Sequence, residues 1–295
     1  MNLYELELQA EKEKLNRLLQ LEESVLQALD HVGVEGMRRL RHSVEARIFD
    51  KGARRFTGLA RSSKLLPARV SALIAQKALG PRLAAQVTGL LEPELAVGLA
   101  KHISTEFQAD ICVYLDPRRA GPVLRAMPLP LILETSSELV AREEFMTMAR
   151  FVEDLEDQQI QAVSEVLAPL PMLWIGFYVE SGTRLSYLIG TLSDAQLMAT
   201  MEAAAEHGLW PQSLAMMLRA DRSTHVRTTH LLAWADSTVP LRMLEAAQEL
   251  DLWQPIATLM GSAEESDLRR LEARLRPEAP EALQRLESEI QALQG

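Results

Sequence analysis

MEAAAEHGLWPQSLAMML at residues 201–218 and LEAAQELDLWQPIATLMG at residues 244–261 are copies of one another. Glu202, Ala203, Ala204, Glu206, Leu209 and Trp210 recur as Glu245, Ala246, Ala247, Glu249, Leu252 and Trp253, an offset of 43 residues. A period of roughly 40 residues is the length of two or three stacked helices. One such unit cannot bury its apolar face alone, so neighbours must stack to make a continuous core. Shorter copies lie upstream. LEDQQIQAVSE at Leu155 resembles LSDAQLMATME at Leu192, an offset of 37. LLEPELAVGLA at Leu90 resembles YLDPRRAGPVL at Tyr114, an offset of 24. The changing offset describes a degenerate array.

Composition agrees with an all-α chain. Alanine, leucine, glutamate, glutamine and arginine dominate the 295 residues, and all are good helix formers. Aromatics are 5%, and β-branched residues rarely alternate with polar ones. The expected fold is an α-solenoid, a superhelix of short stacked helices as in HEAT or armadillo arrays, behind a long N-terminal helix. Four segments are expected: the N-terminal helix at 1–35, a basic helical segment at 36–79, the repeat array at 80–262 and charged capping helices at 263–295. Leu15, Leu18, Leu19, Val25, Leu26 and Leu29 follow helical spacing, so residues 2–30 read as one helix. Gly33 and Gly36 should interrupt it, and glycines at 52 and 58 mark residues 38–65 as the place for irregular structure or a hinge. Gly80-Pro81, Glu92-Pro93, Asp116-Pro117 and Ser193-Asp194 read as helix starts, since proline at the first helical position loses no hydrogen bond.

The net charge of −10 is unevenly spread. Residues 38–82 hold twelve Lys or Arg and only two acids, Glu45 and Asp50, so this segment is +10 and the remainder −20. Such asymmetry marks either a surface for an anionic partner or a segment docked on the acidic parts of its own chain. The candidate binding residues are Arg38, Arg39, Arg41, Arg54, Arg55 and Arg61. An external role requires them to share an exposed face without carboxylate partners. Internal pairing is the favoured expectation.

At residues 104–128, STEFQADICVYLDPRRAGPVLRAMP has a helix ending in Leu-Asp-Pro, then a second helix that closes with Met-Pro. Leu115, Asp116, Pro117, Ala120, Leu124 and Pro128 resemble the helical repeats of the cytosolic N-terminal domain of MgtE-type magnesium transporters and of the middle domain of the flagellar motor-switch protein FliG. Leu91, Glu92, Pro93 and Ala96 give a weaker second copy, and the resemblance covers residues 80–130. It implies a right-handed superhelix serving as a regulatory or interaction module. Magnesium sensing and torque generation are not implied, because the neighbouring domains they need have no counterpart in the chain.

No motif commits to a reaction. There is no G-x-x-x-x-G-K-[ST], G-x-G-x-x-G or G-x-S-x-G pattern. Asp221 and His225 stand one helical turn apart, a spacing that could hold a metal, but no third ligand is evident and a solvated polar face is the simpler reading. Cys112 lies in the apolar run 111–115 and reads as a buried, inert thiol. The clustered methionines read as core, and Trp210 and Trp253 as equivalent wedges between helices. The N-terminus lacks the apolar core of a signal peptide, and the run 170–179 is too short to span a bilayer, so a cytoplasmic location is expected. No catalytic, metal or cofactor site is expected. The leading expectation is a non-enzymatic scaffold binding another protein through a concave surface, with a homodimer through the N-terminal helix as a further expectation. The alternatives are a binder of nucleic acid or anionic membrane through residues 38–82, and an apolar-ligand carrier or enzyme with a pocket inside the superhelix.

Overall fold

The structure, a computed structural model, describes residues 2–62 and 66–294; the side chains of Glu23, of residues 52–55, 59, 61 and 62, and of Gln294 lie outside the described part. Among the described residues 81% are helical and none is in a strand. The chain divides into two units, one of Glu7–Val166 and one of Met1–Leu6 with Leu167–Gly295.

The N-terminal unit carries α1 (Leu3–Leu19, whose first residues count with the other unit), α2 (Glu23–Ala28), a 3-10 turn (Asp30–Val32) and α3 (Gly33–Ser62). Then come α4 (Ala68–Ile74), a π-helical turn (Ala75–Leu79), α5 (Gly80–Thr88), α6 (Pro93–Ala100), α7 (Thr105–Tyr114), α8 (Pro117–Ala126), α9 (Leu129–Ala141), α10 (Phe145–Phe151) and α11 (Asp157–Val166). Alternate helices pack on one another: α3 on α5, α5 on α7, α7 on α9 and α9 on α11 form one ladder, and α4, α6 and α8 form the other. The stacking unit is therefore a helix pair. Pro93 and Pro117 open its equivalent helices α6 and α8, which accounts for the offset of 24. Ala84, Ala85, Ile111, Leu115, Ala120, Leu124 and Phe151 build its core.

The C-terminal unit carries α12 (Pro169–Tyr178), α13 (Gly182–Thr191), α14 (Asp194–Glu206), α15 (Trp210–Arg219), α16 (Arg222–Trp234), α17 (Val239–Leu250), α18 (Trp253–Met260), α19 (Glu265–Leu275) and α20 (Pro280–Gln294). Here the ladders skip two helices: α12, α15 and α18; α13, α16 and α19; α14, α17 and α20. The stacking unit is a helix triple, and the offset of 43 superposes α14 and α15 on α17 and α18. Leu173, Leu185, Leu197, Leu214, Leu232, Leu244 and Ile256 are fully buried along it.

Helix starts follow local chemistry. Ser104, Asp116, Ser181, Ser193 and Asp221 each accept a hydrogen bond from a first-turn backbone N–H, and Ser193 with Gln196 completes a capping box. Helix ends are held from a distance. Arg150 of α10 donates to the Leu115 carbonyl after α7, and Gln159 of α11 donates to Leu124, Arg125 and Met127 at the end of α8. Arg219 of α15 closes α12 at Phe177 and Val179, Arg227 of α16 closes α13 at Leu192, and Arg274 of α19 closes α16. Each cap comes from the helix three further on, which in the C-terminal unit is also the stacking register.

Two expectations about the N-terminal region are corrected. Residues 2–30 are not one helix. Gln20 takes left-handed backbone (φ 51), and Leu21 N–H donates to Asn16 Oδ1 at 2.7 Å. The Asn16 side chain thus competes with the helical ladder, and the chain folds back so that Leu21, Leu29 and Val32 pack on Leu8, Leu15 and Met37. The basic run, in turn, is no hinge within 38–62: α3 runs unbroken from Gly33 to Ser62, and residues 63–65 lie outside the described part. Met37, Arg41, Glu45 and Phe49 are buried at four-residue spacing and pin one face of α3. Against that packing, a glycine in a helix costs only about 1 kcal/mol.

Candidate anion-binding pocket

In the N-terminal unit a cavity of about 360 Å³ opens among α1, α3, α5, α7 and α10. Its apolar wall is Leu18, Leu19, Ile48, Phe49, Val113 and Met146. Five cations line it: Lys14, Arg17, Arg41, Arg82 and Arg150. Two carboxylates do, Glu45 and Asp116.

The cations are ordered by a buried network. Glu11 receives Lys14 Nζ at 3.0 Å and the Nε atoms of Arg38 and Arg41 at 3.4 Å. Glu45 receives Arg41 Nη1 at 3.1 Å, Arg118 Nη2 at 2.8 Å and Arg150 Nη2 at 3.5 Å. Asp116 reaches Arg118 Nε at 3.5 Å. Lys14, Arg38, Arg41, Arg118 and Arg150 thus gather around Glu11, Glu45 and Asp116, and Glu11, Arg41 and Glu45 are nearly inaccessible to water. Cations that line a weakly screened cavity attract an anion strongly: a charge pair at 4 Å is worth about 4 kcal/mol at an effective dielectric of 20. Arg17 stands at the rim in a two-pronged pair with Glu144, at 2.7 and 3.1 Å. Burial works against the Glu144 charge, but hydrogen bonds from Arg17 and the Thr147 hydroxyl outweigh it and hold that carboxyl below its ordinary value. Arg82 is exposed and has no ion-pair partner among the described residues.

The sequence candidates separate. Arg38 is paired with Glu11 and Glu35, and Arg41 with Glu11 and Glu45, so both are used internally. Arg39 is exposed without a carboxylate partner among the described residues. The side chains of Arg54, Arg55 and Arg61 lie outside the described part. Lys14, Arg17, Arg82 and Arg150 were not singled out from the sequence. A signal was present for Arg41 and Glu45, which continue the stripe of Met37 and Phe49 at four-residue spacing and so must be buried together.

The remaining groups have structural roles. Asp221 caps α16, where the Thr224 backbone N–H and the Ser223 and Thr224 hydroxyls hold its carboxyl below the ordinary value. His225 Nε2 donates to the Met217 carbonyl at 2.7 Å, closing α15. No cluster of three potential metal ligands occurs among the described residues. Met146, Met148, Met201, Met216 and Met217 are buried core residues, as are Trp210 and Trp253, each 5% exposed. Burial pushes the Cys112 thiol up to about 12, which leaves it unreactive at neutral pH. Trp234 differs: it is half exposed, donates from Nε1 to the buried Asp267 carboxylate at 2.8 Å, and carries the Arg270 guanidinium 4.0 Å above its ring.

No family model matches the chain, and neither a curated protein nor a solved structure matches it.

Proposed function

We propose that this protein is a helical-repeat binding module, an interaction protein rather than an enzyme, whose N-terminal unit holds an acidic, partly apolar segment of another protein. The observation that carries this reading is the cavity lining itself, where the cations Lys14, Arg17, Arg41, Arg82 and Arg150 stand among aliphatic and aromatic side chains with two carboxylates, Glu45 and Asp116. A carboxylate-bearing peptide satisfies both surfaces, placing acids against Arg17, Arg82 and Arg150 and aliphatic side chains against Leu18, Ile48 and Met146. The stacking ladders support reading each unit as an α-solenoid array, a fold that presents extended grooves to protein partners. The resemblance over residues 80–130 points the same way, towards a regulatory or interaction module, and a cytoplasmic site of action suits that role.

The test uses the intact chain and a fluorescent peptide of about 15 residues rich in Glu and Leu. Anisotropy should report micromolar binding that weakens with salt. The same peptide with Gln for Glu should bind at least about tenfold more weakly, a difference of about 1.4 kcal/mol. Arg82→Glu should weaken binding several-fold, whereas Arg47→Glu, on an exposed residue outside the pocket, should not. Equal affinity for the Glu and Gln peptides would overturn the reading.

A further inference from the structure

Residues 51–91 contain no aspartate or glutamate and eight lysines or arginines. Within this stretch α4 and the π-helical turn present Val70, Leu73, Ile74 and Lys77 at i, i+3, i+4 and i+7, one face of a helix. That face is open. Val70, Leu73 and Ile74 are 42%, 55% and 39% exposed, and Leu66 just before the helix is exposed as well. The opposite face is used, since Ser71 and Ala72 are buried where α4 packs on α6. Arg69 flanks the apolar stripe and Lys77 extends it; both are exposed and have no carboxylate partner among the described residues. On α6, the helix that α4 packs against, the acids among the described residues are Glu92 and Glu94 at its start, outside the acid-free stretch.

We infer that the α4 face docks on an anionic lipid bilayer. A basic helical face with an aliphatic stripe lies in the membrane interface, with its side chains in the acyl boundary and its cations at the headgroups. A bilayer accepts both features of this surface at once. Nucleic acid would leave Val70, Leu73 and Ile74 in water. The long aliphatic stem of Lys77 lets its ammonium reach the headgroups from within the stripe. The binding is peripheral: among the described residues no helix is long and apolar enough to cross a membrane. This inference does not rest on the pocket, and none of the residues to be changed lines it.

The experiment is co-flotation of the intact chain with vesicles of phosphatidylcholine alone and of phosphatidylcholine with about one-third phosphatidylserine, across a salt series. Binding should occur on the anionic vesicles, weaken with salt and be slight on the neutral ones. Each cation near such a surface is worth about fivefold in partitioning, so Arg69→Glu with Lys77→Glu should lower binding by about 25-fold or more. Leu73→Asp should lower it about tenfold by removing apolar contact. All these positions are exposed, and unchanged circular dichroism and melting temperature would show that the variants fold. No flotation with anionic vesicles at low salt, or flotation indifferent to Leu73→Asp, overturns the inference. Binding of a duplex DNA oligonucleotide without vesicle binding assigns the charge to nucleic acid. A mass that grows with protein concentration and falls with Leu73→Asp, again without vesicle binding, assigns the face to a second copy of the chain. Either result overturns the bilayer.

Discussion

Gly208 and Asp251 stand 43 residues apart at the same turn of the two copies, and both take left-handed backbone, at φ 65 and φ 54. Leu209 N–H donates to the Ala204 carbonyl at 2.8 Å, and Leu252 N–H repeats the bond to Ala247 at 3.1 Å. The repeat is thus conserved in backbone even where the residue changes. A side chain in this conformation costs on the order of 1 kcal/mol, which glycine avoids. Gly208→Ala should therefore destabilise by about 1 kcal/mol or more, and Asp251→Gly should be neutral or stabilise by up to about 1 kcal/mol. Urea unfolding followed by tryptophan fluorescence measures both, and effects of the reverse sign would deny the equivalence. Asp221 gives a second residue-scale test. Its folded pKa lies below the ordinary carboxylate value, so its contribution is complete above that value and is lost as pH falls through the folded one. Asn accepts the same capping bonds without titrating. Melting temperatures of Asp221→Asn should accordingly fall less steeply than wild type below about pH 4, and parallel curves would show that the cap is not charge-linked.

Helix ends carry the element-scale argument. The last carbonyls of a helix have no partner of their own and collect the negative end of its dipole. Arg274 answers both for α16, donating to Leu232, Ala233, Ala235 and Ser237 at 2.7–3.1 Å. Arg274→Met keeps the chain length and apolar contact while removing all four hydrogen bonds. It should cost about 2–3 kcal/mol, the range for hydrogen bonds to a charged group, and speed amide exchange at the end of α16. Arg276→Met is the control, since its pairs with Glu272 and Glu287 are exposed and should be worth less than about 1 kcal/mol. If the two substitutions cost the same, the caps are incidental. Helix starts were legible in the sequence because their chemistry is local: Asp116, Ser193 and the first-turn prolines sit beside what they cap. Helix ends were not, because Arg219, Arg227 and Arg274 act from about 40 residues away. The pocket was hidden for the same reason. The carboxylates that order its cations come from Glu11 on α1 and Glu45 on α3, and a count of apolar residues alone passes over the charged members of a buried stripe.

At the scale of the whole molecule, the array-like character was legible but its change of period was not. Offsets of 24 and 43 looked like degeneracy. They are instead two regular packings, helix pairs in Glu7–Val166 and helix triples in Leu167–Gly295. Only the pattern of neighbours separates them, and local sequence does not encode it. Two units with different stacking should unfold as separate cooperative blocks, since each repeat in such arrays is stabilised by its immediate neighbours. The chain supplies its own reporter: Trp174, Trp210, Trp234 and Trp253 all lie in the C-terminal unit. Tryptophan fluorescence therefore follows that unit alone, while far-ultraviolet circular dichroism follows both. Glu45→Ala removes the carboxylate that holds Arg41, Arg118 and Arg150, and breaking a buried pair in this way costs about 3–5 kcal/mol. In guanidinium titrations of the intact chain, this substitution should pull part of the dichroism transition to lower denaturant and leave the fluorescence midpoint where it was. Trp253→Ala, which empties a buried site in the other unit at a cost of about 3–5 kcal/mol, should move the fluorescence midpoint and spare the remaining dichroism phase. If both probes shift together in both variants, the chain unfolds as one body, and the change of period marks no boundary in its stability.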